Sequence, residues 1–435
     1  MRDKEIENLL KKEEARQKRV VNLIASENVV SDDVREALGS VCVNKYAEGY
    51  PGKRYYGGNE VSDEIERTCQ ARARALFGLK ESEWSVNVQP LSGSPANLAV
   101  YLALVPPGGS PSQNASAEQG KIMGMELAHG GHLTHGHTVS ASGIFWKQVP
   151  YGVSRETETI DYDALLKLAK KEKPALVVAG FTAYPRAIDF KKFRKIADAA
   201  ACPELGRRGA YLLVDMAHIA GLVAAGVHPS PVPYAEFVSS TTDKTLRGPR
   251  GGFVLCKKEF AKRLDAEVFP GIQGGPLMHV IAAKAIAFKE AMGVNFRNYQ
   301  RQIVRNSREL SRYLGKEDGF RIVSGGTDTH LILVDLSEKG LTGADASAAL
   351  GYAGITVNKN LIPFDKKSAG STSGIRIGTA AITSRGMKEF HMRKIASFIE
   401  AAINSSDDLR KLEEIRIEVL NLTKRFPLYE ELQKA

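Results

Sequence analysis

The sequence predicts an α/β protein, with a large domain built on a mostly parallel sheet and a smaller α+β domain after it. Three observations carry that prediction. Short β-rich runs alternate with helically spaced runs through the middle of the chain, the pattern that strand–helix–strand units produce. The last third changes character, from a long helical stretch over 276–315 to the runs FRIVSG, HLILVDL and SGIRIGTAA and then to helices. A chain of 435 residues is also long enough to build more than one core.

Taken in order, residues 1–38 give two helical pieces with an extended NLIASEN stretch (22–28) between them. Residues 46–58, YAEGYPGKRYYGG, are so rich in Gly, Pro and Tyr that they predict a surface loop lining a pocket. Helical spacing returns over 59–77. Strands of the large sheet are predicted in SVNVQPL (85–91), KIMGMEL (121–127), KPALVVAG (173–180), AYLLVDM (210–216), EFVSSTTD (236–243) and GGFVLC (251–256). Helices fall in SPANLAVYLAL (94–104) and DFKKFRKIADAA (189–200). Two polar segments, 106–120 and 202–209, read as surface insertions, and no internal repeat is present.

Composition excludes several classes. Hydrophobic residues make up 43% and charged residues 25%, as in ordinary globular proteins. No apolar run approaches the roughly 18 residues of a membrane span. The first 19 residues mix acids and bases around no apolar segment, which fits neither a secretory signal nor a transit peptide, so a cytoplasmic protein is expected. Cys42, Cys69, Cys202 and Cys256 are far apart and form no CxxC pair, consistent with free thiols in a reducing compartment. The formal charge of +10 raises a nucleic-acid hypothesis. Against it, the Lys and Arg residues are interleaved with acids and form no basic block with aromatics among them.

The chemistry-bearing residues stand where apolar strands end. In Ala210-Tyr-Leu-Leu-Val-Asp215 a strand delivers a carboxylate, and in Phe237-Val-Ser-Ser-Thr-Thr-Asp-Lys244 another delivers a lysine. Open α/β sheets bind ligands at the carboxyl ends of their strands. Pyridoxal phosphate needs a lysine to carry it and a carboxylate facing its ring nitrogen. On spacing alone, an acid and a lysine on ordinary loops is the better reading. Leu91-Ser-Gly-Ser-Pro-Ala-Asn97 adds weight, because Ser92, Gly93 and Ser94 open a helix and can cradle a phosphate. Alone it is a weak signal, since such a turn is often only a helix cap. Histidines 129, 132, 135 and 137 allow a metal site, but intervening glycines break the spacing and no cysteine or acid sits nearby. A loop presenting a flat ring to a cofactor ranks first there, a structural turn second and a metal third.

The runs NLIASEN, NKYAEGYPGKRYYGG, VQPLSGSPANLAVY, AHGGHLTHG, VDMAHIAGLVAAG, KTLRGPRGG, FPGIQGGPLMH, VSGGTDTH, ITVNKN and SGIRIGT together resemble the serine hydroxymethyltransferase family, over about residues 20–430. The resemblance implies the aspartate-aminotransferase-like fold of pyridoxal-phosphate enzymes, with an N-terminal arm (1–44), a large cofactor domain (45–292) and a small domain (293–435). It implies reversible conversion of L-serine and tetrahydrofolate to glycine and methylenetetrahydrofolate, in a homodimer or a pair of dimers with shared sites.

It also implies residue roles. Lys244 is the lysine that carries pyridoxal phosphate; Asp215 and His218 face its ring nitrogen and 3-hydroxyl; His132 stacks on the ring. Ser92, Gly93 and Ser94 hold the phosphate, completed by Tyr46, Gly274 and Gly275 of a second subunit. Thr182 belongs to the cofactor site, where serine is usual. Arg376 grips the substrate carboxylate as a bidentate pair. Glu48 is the acid/base group with Tyr56 beside it, both from across the interface, and Ser26 lies on the substrate side. Leu127, Gly131, Leu133 and Asn360 contact the folate.

Two departures matter. The family usually carries histidine before the lysine, in THKT, where this chain has Asp243. An anionic neighbour favours the charged lysine adduct, so cofactor binding is expected to persist with altered turnover or substrate preference. The 367–372 loop lacks the Pro-Phe expected before SGIR, which touches folate affinity. These features favour, as rivals, a β-hydroxy-amino-acid aldolase or an α-methylserine hydroxymethyltransferase. An RNA-binding protein and a metal-dependent hydrolase are weaker alternatives.

Overall fold

The computed structural model describes residues 2–108, 119–201 and 209–429. The cores of the two polar insertions, 109–118 and 202–208, lie outside the described residues, as does Cys202. Helices begin where short polar side chains can take the unpaired N–H groups of a first turn. Asp3 accepts from Ile6, Ser31 from Val34, Asp189 from Lys192 and Asp408 from Arg410 and Lys411. The predicted helix over 276–315 is interrupted, running as Met278–Ala291 and Val294–Arg312 with Gly293 between them.

The chain divides into two compact units. The continuous one, Val30–Gln300, is built on a seven-stranded sheet. Its strands run in the order Trp84–Asn87, Gly252–Lys257, Phe237–Thr241, Tyr211–Asp215, Leu176–Ala179, Lys121–Met125, Lys147–Tyr151. All point the same way except Gly252–Lys257, which is antiparallel to both of its neighbours. The edge strand Lys147–Tyr151 was not foreseen: with Pro150 and charged or polar residues among its five, KQVPY does not read as a buried strand. The central strands are apolar throughout because helices cover both faces of a parallel sheet; Leu176–Ala179 is wholly buried.

The second unit, Met1–Val29 with Arg301–Ala435, is discontinuous. Its four-stranded antiparallel sheet has the order Arg321–Ile322, Leu331–Asp335, Gly374–Gly378, Asn358–Asn360. Val21–Asn22 pairs in parallel with Ile355–Thr356, so Val21 and Leu23 join the same core as Leu310, Ile332, Ile375, Ile399 and Val419. Arg385 fastens the chain ends of this unit. Its guanidinium donates to Lys18 O (3.0 Å) and Val20 O (2.8 Å) at the end of the first helix, and to Thr423 O (3.1 Å) and Phe426 O (2.8 Å) at the end of the last one. Those are the carbonyls a helix C-terminus leaves unpaired. Among the described residues no helix is long and apolar enough to cross a membrane.

Candidate active site

The strand Trp84–Asn87 leads through Val88–Leu91 into the helix Gly93–Leu104. Ser92 is its N-cap, yet the hydroxyl caps no N–H of the helix. Pro95 has no N–H to offer, and the N–H groups of Gly93 and Ser94 have no acceptor four residues back inside the helix. A Cβ on Gly93 would come within 2.8 Å of Thr241 Cγ2, so only glycine lets this turn lie flush on the strand that leads to Lys244. Two free-facing amides, two hydroxyls and a helix N-terminus make an anion cradle.

Asp215 closes the strand Tyr211–Asp215. Its Oδ2 accepts from Asn97 Nδ2 at 2.9 Å and lies 3.1 Å from His135 Nε2, while Oδ1 accepts from the Ala217 N–H at 3.0 Å. His135 Nδ1 accepts from the His132 N–H at 3.3 Å, which leaves Nε2 to carry the proton and donate to Asp215. Burial alone would raise the Asp215 carboxyl, but the His135 hydrogen bond, the imidazoles of His135 and His132 and the Asn97 amide outweigh it and hold the group well below its ordinary range. Asp215 therefore stays ionised across the physiological range. Asn97, 1% exposed, is the hub: its Oδ1 accepts from Ser239 Oγ (2.6 Å) and its Nδ2 also reaches Thr134 Oγ1 (3.0 Å). Thr134 Oγ1 in turn lies 2.8 Å from His132 Nδ1, fixing that ring through its own turn.

Lys244 follows the next strand, and its Nζ donates to Thr241 Oγ1 at 2.9 Å. Thr182, beyond the strand Leu176–Ala179, sits 3.3 Å from His218 Nε2 through its Oγ1. The His218 carbonyl accepts from Thr245 Oγ1 (2.8 Å), so the segment after Asp215 is tied to the one after Lys244. Asp243 does not fold back on Lys244. Its Oδ2 meets Arg250 Nη1 at 3.3 Å, an ion pair with an 86% exposed guanidinium. Leu127, Gly131 and Leu133 stand on the loop after Lys121–Met125, with Leu133 43% exposed and Gly131 packed where any Cβ would collide with the Met125 carbonyl.

Tyr46, Glu48, Tyr56, Gly274 and Gly275 form a second group in the same unit. Tyr46 Oη donates to Glu48 Oε1 at 3.3 Å, and the rings of Tyr46 and Tyr56 meet edge to face at 5.4 Å. A Cβ on Gly274 would lie 3.5 Å from Glu48 Oε1, and one on Gly275 3.5 Å from Tyr46 Cε1. The charge of Glu48 raises the Tyr46 hydroxyl above its ordinary range. Gln273 connects their loop with the cradle, donating to Gln89 O at 2.8 Å and accepting from the Leu91 N–H at 3.3 Å. The predicted loop is firmer than its composition suggests: Gly49–Tyr50 and Lys53–Arg54 form a small hairpin, and buried Arg54 pairs with Asp63 (2.8 Å) and Glu66 (2.7 Å).

Ser26, Arg376 and Asn360 belong to the discontinuous unit. Arg376 lies mid-strand in Gly374–Gly378, opposite Asn358, whose Oδ1 accepts from its Nε at 3.1 Å. It is 7% exposed, and burial pushes its guanidinium down to about 10, still charged at neutral pH. Ser26 follows Ala25, against which Gly378 packs so closely that a Cβ would collide with it. Asn360 ends the neighbouring strand opposite Gly374, its amide donating to Leu361 O at 2.6 Å. Asp365 organises the 367–372 loop, accepting from Lys367 N (2.9 Å), Ser373 N (2.8 Å) and Ser373 Oγ (2.7 Å).

The histidines of 129–137 are spent separately. His129 Nδ1 accepts from the Val153 N–H at 3.1 Å, His135 turns to Asp215, and His137 Nδ1 accepts from Val139 N. Among the described residues no three His, Cys, Asp or Glu side chains are grouped to hold a metal ion. Sequence reasoning passed over Asn97, Thr134 and the bond from His135 to Asp215. A signal for Asn97 existed, since it is the polar residue on the buried face of an otherwise apolar helix.

The family model of serine hydroxymethyltransferase matches residues 1–399 of the 435. The chain belongs to the serine hydroxymethyltransferase family. Serine hydroxymethyltransferases are pyridoxal-phosphate enzymes that interconvert serine and glycine with tetrahydrofolate as co-substrate, and this chain is such an enzyme. The strand-end group fits that cofactor, because its donor set supplies an anion cradle at Ser92–Ser94, a carboxylate held ionised at Asp215 and an ammonium at Lys244. Pyridoxal phosphate, when bound, supplies an electron-withdrawing ring that takes up the electron pair of a bond broken at the substrate α-carbon.

Proposed function

We propose that the hydroxymethyltransferase reaction runs at the strand ends of the Val30–Gln300 unit, with Lys244 carrying the cofactor and Asp215 opposing its ring nitrogen. The observation that carries this reading is the Asp215 carboxylate, fixed by Asn97 and His135 one strand away from the lysine. His132 would stack on the ring, while His218 and Thr182 flank its 3-hydroxyl. Ser92, Gly93 and Ser94 would bind the phosphate. Arg376 would grip the serine carboxylate with Ser26 nearby, and Leu127, Gly131, Leu133 and Asn360 would face the folate. Glu48, with Tyr56 beside it, would exchange the proton of the serine hydroxyl as the one-carbon unit leaves. The functional division into an arm (1–44), a cofactor domain (45–292) and a small domain (293–435) is part of the proposal. So is a cytoplasmic location, supported by widely spaced cysteines, of which Cys42, Cys69 and Cys256 are free.

The assembly proposed is a homodimer, alone or paired, with Tyr46, Glu48, Tyr56, Gly274 and Gly275 serving the partner's site. Support comes from large apolar side chains left in the open: Val41 is 82% exposed, Tyr55 75% and Val139 73%. Inactive Lys244→Ala and Glu48→Gln chains, co-refolded in equal amounts, are expected to recover about a quarter of wild-type activity, because half the dimers are mixed and each has one intact site. No recovery would place both residues in one chain's site.

The decisive assay is glycine formation from L-serine with and without tetrahydrofolate on cofactor-saturated protein. A strongly folate-dependent rate is expected; cleavage of threonine-type substrates without a folate effect would overturn the proposed folate positions. In the same assay Asp243→His is expected to change kcat, or the ratio of serine to threonine cleavage, by about threefold or more, with cofactor affinity within about twofold. An unchanged profile would remove Asp243 from the catalytic group.

A further inference from the structure

Behind the Ser92–Ser94 turn lies a charged group that the proposed chemistry leaves unused. Lys284, on the helix Met278–Ala291, is 1% exposed. Its Nζ donates to Gly252 O at 2.7 Å, Val88 O at 2.8 Å and Pro90 O at 3.1 Å. An ammonium has three protons, so its donor capacity is filled. All three acceptors flank the cradle. Val88 and Pro90 lead directly into it, and Gly252 lies against it: its N–H donates to Pro90 O at 2.9 Å, and a Cβ there would collide with the Ser92 carbonyl. Gly251 leaves the passage through which the lysine reaches this point, since a Cβ would collide with Lys284 Cε. The Gly251 carbonyl accepts from the Thr242 N–H at 3.0 Å, two residues before Lys244. One ammonium thus joins the phosphate turn to the segment that carries the lysine.

The charge on this group is not matched by an acid at contact. Among the described residues no carboxylate oxygen lies within the 4.0 Å of a salt bridge from Lys284 Nζ. The ionisable groups acting on it at longer range are Cys69 and Glu66 of the helix Glu60–Leu76 and Asp243 beyond the strand Phe237–Thr241, with Arg72 beside Cys69. Glu66 is already engaged by Arg54 (2.7 Å) and Gln89 (2.9 Å), and Asp243 by Arg250. A buried cation without a counter-ion is costly, and an anion on the far side of the turn offsets that cost across a weakly screening interior.

We propose that Lys284 is a positioning residue of the phosphate site, fixing the carbonyls that enter the Ser92–Ser94 turn and supplying a buried charge that draws a phosphate dianion to it. The inference rests on the placement of the cofactor phosphate at that turn. Burial pushes the Lys284 ammonium down to about 8, so the charge fades as pH rises through that value, and anion binding reciprocally holds the proton on.

The test compares two cofactor forms on full-length apo-enzyme. In Lys284→Met the dissociation constant for pyridoxal phosphate is expected to rise by about tenfold or more, while that for pyridoxal, which lacks the phosphate, stays within about twofold. Equal losses for both forms, or no loss for either, overturn the proposal. Where the variant fails to fold, sulfate binding to apo Lys244→Ala protein between pH 7 and 9.5 replaces it, because sulfate stays dianionic throughout and Lys244 is gone. Affinity is expected to fall severalfold across that range, and a flat profile overturns the role. Ser94→Ala tests the placement separately. A phosphate-specific loss there without one in Lys284→Met refutes Lys284 alone, whereas no such loss in Ser94→Ala removes the placement itself.

Discussion

Replacing Asp215 with asparagine is expected to lower kcat by about 10³-fold, the scale seen when a preorganised charge or donor is removed from a developing charge. Asparagine has nearly the same shape, and one carbonyl oxygen can still accept from the Ala217 N–H. It cannot remain anionic opposite a protonated ring nitrogen. With that oxygen turned to Ala217, its NH2 faces both Asn97 Nδ2 and His135 Nε2, which met one carboxylate oxygen, so both of those bonds are lost, at about 1–3 kcal/mol of stability for each donor left unpaired. Stopped-flow or steady-state kinetics of glycine formation, with circular dichroism to verify the fold, checks both effects. A kcat within tenfold of wild type would mean that the ring nitrogen finds its counter-charge elsewhere. The acid limb of the pH profile is also constrained. The folded pKa of Asp215 is depressed, so what its ionisation contributes is present above the ordinary carboxyl range and is lost only as pH falls through the lower folded value. Between pH 5 and 9 no loss of activity is expected from this group.

Arg376→Lys is expected to raise the KM for serine by about 10²-fold, near 2.7 kcal/mol, with a smaller effect on kcat. The guanidinium is buried, and its Nε donates to Asn358 Oδ1, which fixes the plane of the group. A carboxylate matches two parallel N–H groups, whereas an ammonium offers one at a time on a longer leash. Steady-state titration with serine measures the change; a KM shift below about fivefold would place the carboxylate contact on another residue.

Much of the fold was legible because the signals were local. Runs such as AYLLVDM and HLILVDL are too short and too apolar for amphipathic helices, and both form strands, Tyr211–Asp215 and Leu331–Asp335. Asp215 and Lys244 were legible as strand-end residues for the same reason, since each follows such a run within a few positions. What could not be read was pairing across the sequence. Nothing near Asn97 announces that its amide meets a carboxylate 118 residues on, and nothing in KQVPY announces a sheet edge. Asp243 illustrates the other limit. Beside Lys244 in sequence, it looks like a partner for that ammonium, yet the turn directs it to Arg250. Adjacent residues on a tight turn point in different directions, so sequence proximity overstates their coupling.

The discontinuous unit has a bearing on how the chain is made. Val21 and Leu23 belong to a core whose other buried apolar members all come after 300, and Arg385 holds the carbonyls of residues 18 and 20 together with those of 423 and 426. A ribosome therefore delivers the first 29 residues long before the segment that completes their core, while Val30–Gln300 can collapse as it emerges. During that interval Val21 and Leu23 lie without the core that covers them, and they gain it only when the segment after residue 300 has been made.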